Sequence, residues 1–106
     1  MPVPAVTDAT FAAEVLACPL PVLVDYWADW CAPCKQLKPI IEAFAAEFAG
    51  RVKVVALDAN TNTAVPLTYG VNNLPTVQLF RHGEVVGVLA GSVTKGKLRQ
   101  LLEEVG

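Results

Sequence analysis

Residues 22–35 read Val-Leu-Val-Asp-Tyr-Trp-Ala-Asp-Trp-Cys-Ala-Pro-Cys-Lys, and the order of these side chains decides the fold. From Val22 to Trp27 the run is apolar except at Asp25, without polar alternation, as in a strand covered on both faces. Beyond it, Leu37, Ile40, Ile41, Phe44, Ala45 and Phe48 recur at spacings of three and four, the apolar stripe of a long helix ended by Gly50. Pro39 lies inside that helix, where it removes the hydrogen bond to the Lys35 carbonyl and bends the axis without dividing the helix. Cys31 and Cys34 therefore stand where a central strand ends and a helix begins.

Working outward, Arg51 to Asp58 is a second buried strand. With the long helix as the crossover it runs parallel to the first, giving a right-handed strand–helix–strand unit. Toward the N-terminus, Val3 to Val6 forms a short strand confined to an edge by Pro2 and Pro4. Thr7 or Asp8 then caps a helix that buries Phe11, Val15 and Leu16. Toward the C-terminus, Thr63 to Tyr69 is a short helix limited by Pro66 and ended by Gly70. Thr76 to Phe80 and Glu84 to Leu89 form an antiparallel hairpin through Arg81, His82 and Gly83. Thr94 caps a last helix burying Leu98, Leu101, Leu102 and Val105. The expected fold class is α/β, a central mixed sheet of four to five strands with helices on both faces, in one domain over residues 1–106.

Composition narrows the function. The chain has 106 residues, 54% of them hydrophobic and 17% charged, with a net charge of −2. That is too apolar for disorder and offers no basic stripe for nucleic acid. The longest apolar stretch, Pro19 to Trp27, is far short of the roughly 20 residues a membrane span needs. The N-terminus has no basic head followed by an apolar block, so a cytoplasmic location is expected. Three cysteines are too few for a disulfide scaffold, and the close pair points to chemistry.

At a helix start, unpaired backbone N–H groups and the helix dipole favour an anion, so the Cys31 thiolate is the expected nucleophile, exposed at the surface. Cys34, one turn later, is within disulfide reach and points into the domain as the resolving thiol. Pro33 fits the first turn because the missing N–H would have had no helical partner. Zinc would need two more ligands, and only Cys18 and His82 remain, on a helix-to-strand loop and a hairpin tip. No metal or organic cofactor is expected. Asp25, which interrupts the apolar strand, is read as a buried carboxyl with a raised pKa that moves protons for Cys34.

Trp30-Cys31-Ala32-Pro33-Cys34-Lys35, preceded by Val24 to Ala28, resembles the thioredoxin family. The resemblance extends to Pro39, Leu74-Pro75-Thr76, Gly83 and Gly91, and so covers nearly the whole chain. It implies a protein-disulfide reductase acting on disulfide-containing client proteins and reduced in turn by a flavoprotein thioredoxin reductase, as a monomer. It also implies a cis bond between Leu74 and Pro75. An apolar docking face of Trp30, Pro33, Leu74, Pro75, Ala90 and Gly91 follows from the same likeness, with the Leu74 backbone free to pair with a client strand. The chain departs from the family at Ala32, where glycine is usual, and at Asn73. Counting from Asp58 puts Val54 where the family often carries a lysine near the buried acid, with Lys53 turned to the other face.

Overall fold

The computed structural model describes residues 3–105. These form a five-stranded sheet in the order β1-β3-β2-β4-β5. Strand β2 (Val22–Trp27) lies in the middle, parallel to β3 (Lys53–Asp58) on one side and antiparallel to β4 (Thr76–Arg81) on the other. All of β2 but Trp27 is buried, as its unalternating sequence requires. The edges are β1 (Ala5–Val6), parallel to β3, and β5 (Glu84–Ala90), antiparallel to β4. Pro4 adjoins β1 as expected, while Pro2 lies outside the described residues.

Helix α1 (Ala32–Glu47) is continuous through Pro39 and crosses between β2 and β3. On its face of the sheet Leu37, Ile41, Phe44 and Phe48 pack with Leu23, Val54, Val77 and Leu79, together with Leu98 and Leu102 of α3 (Lys95–Val105). The Thr94 hydroxyl accepts the Lys97 N–H at 3.2 Å, capping α3 as expected. Arg99 joins α3 to α1 by gripping both carboxylate oxygens of Glu47. The opposite face holds Val22, Val24, Tyr26, Val55, Leu57 and Phe80, covered by Phe11, Val15 and Val65. Helices thus cover both faces.

Two local expectations need correction. The first helix does not start at Thr7 or Asp8: the regular part is one π-helical stretch, Ala12–Leu16. Thr7 and Thr10 close a turn on each other, each backbone N–H bonding to the other's hydroxyl, at 2.9 and 3.2 Å. Asp8 instead caps α2 (Ala64–Thr68), its carboxylate accepting the N–H groups of Ala64 and Val65 at 3.1 and 2.9 Å. The hairpin is also tighter than expected. Arg81 pairs with Glu84, leaving a two-residue turn of His82 and Gly83 at φ of 51° and 80°. Both central residues of such a turn need positive φ, which glycine adopts freely.

Candidate active site

Cys31 is the N-cap of α1, with extended backbone (φ −91°, ψ 98°), and its Sγ accepts the Cys34 N–H at 3.2 Å. The side chain that begins the helix thus satisfies one of its orphan donors, and the donor lowers the energy of negative charge on that sulfur. Cys34 is disulfide-bonded to Cys31 with their Cα atoms 5.3 Å apart. Pro33 lies in the first turn, where an N–H has no helical partner.

The expected difference in exposure between the two cysteines is absent. Cys31 and Cys34 are each 4% exposed, because Ala28, Trp27 and Leu74 pack around the disulfide. Their inequality lies in hydrogen bonding and helix position.

Asp25 is 5% exposed, and among the described residues its Oδ1 has no hydrogen-bond partner. Burial pushes its pKa from 3.8 up to about 7, because taking the carboxyl out of water penalises the charged form. A cleft of about 440 Å³ is lined by Asp25 and Cys34 alike. On α1, Cys34, Lys38 and Ile41 form one wall at helical spacing, flanked by Lys35 and Glu42; Ala56 and Ala5 supply apolar wall. Asp25 and Cys34 therefore share one opening to solvent.

The strand register corrects the position opposite Asp25. Asp58 pairs with Trp27, so two residues back Ala56 faces Asp25, and Val54 faces Leu23. The residue beside the acid is still apolar, but it is Ala56. Lys53 does turn to the other face, where its ammonium binds the Glu14 carboxylate and carbonyl at 3.2 and 2.9 Å.

Around the disulfide, Trp30 is 70% exposed and Pro33 is exposed, whereas Leu74 is half-buried and Pro75 buried. The Leu74–Pro75 bond is cis. Ala90 and Gly91 are exposed and tied to the Leu74–Thr76 segment: Ala90 pairs with Thr76, and the Gly91 N–H donates to the Pro75 carbonyl at 3.1 Å. Among the described residues, Leu74 makes no backbone–backbone hydrogen bond.

Sequence reading missed a second set of residues. The Trp30 indole N–H donates to Asn60 Oδ1 at 3.3 Å, and the Asn60 N–H donates to Asp58 Oδ1 at 2.9 Å. Asn62 donates its N–H to the Asp58 carbonyl at 3.0 Å and accepts the Asp8 N–H on its Oδ1 at 2.9 Å. The only sequence signal was the density of Asp, Asn and Thr over residues 58–63, which marks a turn with side chains bonded to backbone.

Comparison with known proteins agrees with this geometry. The family model Thioredoxin matches residues 2–104. Thioredoxin of Allochromatium vinosum is 47% identical over 92% of this chain and 92% of its own length. Thioredoxin 1 of Nostoc sp. is 41% identical over 93% of this chain and 92% of its own, and thioredoxin of Rickettsia felis 45% over 88% and 89%.

Proposed function

Because the chain belongs to the thioredoxin family and is a thiol–disulfide oxidoreductase, we propose that it reduces disulfides of client proteins with Cys31 as nucleophile, Cys34 as resolving thiol and Asp25 as general acid/base. The observation that carries this reading is the disulfide between Cys34 and an N-cap cysteine whose sulfur is held by the Cys34 N–H.

In the reduced protein, the Cys31 thiolate attacks one sulfur of a client disulfide. A Cys31–client bond forms, and the other client sulfur leaves as a thiolate that takes up a proton. Ionised Asp25 then removes the proton of Cys34 across their shared cleft, and the Cys34 thiolate attacks Cys31 Sγ. The Cys31–Cys34 disulfide forms and the second client thiolate departs. Two electrons have passed from the dithiol to the client. An acid with its pKa near 7 is suited to this work, being partly ionised at neutral pH and still basic enough to accept a proton.

Docking is assigned to Trp30, Pro33, Leu74, Pro75, Ala90 and Gly91. The unpaired Leu74 backbone supports it, since an extended client segment can hydrogen-bond there whatever its side chains. A flavoprotein thioredoxin reductase restores the dithiol, and the protein works as a monomer in the cytoplasm. None of the described helices is long and apolar enough to cross a membrane.

Cys34→Ser tests the order of events. The variant is expected to accumulate client adducts on Cys31 that thiol reagents release, with turnover lost. Adducts that persist when Cys31→Ser is added to Cys34→Ser, or no adducts at all in the single variant, would overturn the assignment.

A further inference from the structure

An indole 70% exposed beside a reactive sulfur would ordinarily be free to rotate, yet the Trp30 N–H is bonded. Its acceptor, Asn60, sits in a loop whose polar groups hold one another. The Asn60 N–H is fixed on Asp58, Asn62 bonds back to the Asp58 carbonyl through both its backbone and side-chain nitrogens, and Asn62 Oδ1 holds the Asp8 N–H. Asp8 in turn anchors the start of α2 through Ala64 and Val65. The Ala59 N–H is fixed as well, on the Trp27 carbonyl at 2.8 Å, which ties the loop to the end of β2 next to Trp30. An acceptor on a braced loop costs little entropy to use, so the indole is ordered before a client arrives.

We propose that Asn60 is a specificity-determining positioning residue: by holding the Trp30 indole N–H it fixes the ring beside Cys31 as a preformed platform for disulfide-bearing polypeptides. The inference rests on the docking role given above to Trp30. A ring held in place presents large apolar area without losing side-chain freedom on binding, which favours polypeptide clients over disulfides too small to reach it. A single exposed, neutral hydrogen bond limits the size of the effect.

The test uses the full chain with insulin as polypeptide disulfide and hydroxyethyl disulfide as small one. Asn60→Ala is expected to lower kcat/KM for insulin, through KM, by about 2- to 10-fold more than it lowers the rate on hydroxyethyl disulfide. Asn60→Asp, which keeps an acceptor oxygen, restores the ratio. Trp30→Phe, which keeps a ring but removes the N–H, reproduces the Asn60→Ala loss, and the double variant loses no more than either single one. Equal losses on both disulfides, additive losses in the double variant, or an unchanged insulin KM in Asn60→Ala would overturn the positioning role. Trp30→Ala separates the two layers: if it leaves the insulin KM unchanged, the docking assignment itself falls, and if it raises KM while Asn60→Ala does not, only the positioning role falls.

Discussion

The two sides of the Cys31–Cys34 disulfide treat polar groups in opposite ways. On the inner side a carboxyl that is 5% exposed is left without a partner for Oδ1 among the described residues, and the strand neighbour facing it is an alanine. On the outer side Trp30, Asn60, Asp58, Asn62 and Asp8 are linked by hydrogen bonds over a stretch that is exposed at Trp30 and Asn60 and half-buried at the other three. An unpaired buried group is costly and its protonation is easily swayed, which suits proton transfer. Paired groups at the rim add little stability but fix shape, which suits recognition.

The largest test of that contrast is Asp25→Asn. Losing the proposed base is expected to slow resolution of the mixed disulfide on the order of 10²-fold at neutral pH, read by stopped-flow release of the client thiol. Stability should move the opposite way. Asp25 has its folded pKa raised from 3.8 to about 7, so the folded state holds the proton more tightly than the unfolded one. Its contribution is fully present below about pH 4 and is lost as pH rises through 7. The asparagine variant should therefore gain on the order of 4 kcal/mol over the parent at pH 8 to 9, converting the shift at ~1.4 kcal/mol per unit, with the gain shrinking toward pH 4. Urea unfolding across that range measures it. Parallel pH curves for variant and parent would mean that Asp25 is not held as described.

Ala56→Lys gives the inner side a partner. An ammonium on the residue facing Asp25 is expected to lower the carboxyl pKa by about 1 to 2 units and to move the midpoint of the resolution rate downward with it. A midpoint that stays at about 7 would show that the missing partner is not what sets it. The smallest effect belongs to the outer side. Asp8→Ala removes the cap of α2 and should cost about 1 kcal/mol by thermal or urea unfolding, with the pH dependence from Asp25 intact. A change in that dependence would show that the two sides are coupled.

Those two sides also differed in how far the sequence disclosed them. Strand β2 could be read because its apolar run lacks alternation, α1 because its stripe keeps helical spacing, and Asp25 because it breaks that run. The cysteine pair followed from its place at their junction. Where pairing partners are distant, local pattern has no hold. Asp8 is a good cap wherever it lies, and only the fold brings α2 to it in place of its own segment. The residue facing Asp25 reads from the sequence as Val54, two positions short of Ala56, because register comes from the pairing of Asp58 with Trp27, which neither strand reveals by itself. The near-equal burial of Cys31 and Cys34 depends on Leu74, which arrives from a segment far along the chain.

Chain entropy separates the same features in another way. The disulfide closes across a separation of 3 residues, whereas the Trp30–Asn60 bond spans 30 and the Asp8–Val65 bond 57. Closing a longer loop costs more, so the thiol pair needs little of the fold to meet, while the rim exists only once distant segments have come together. A molecule that has locally loosened its rim keeps its sulfurs within bonding reach. With the docking role proposed for Trp30, such a molecule loses discrimination first and chemistry last.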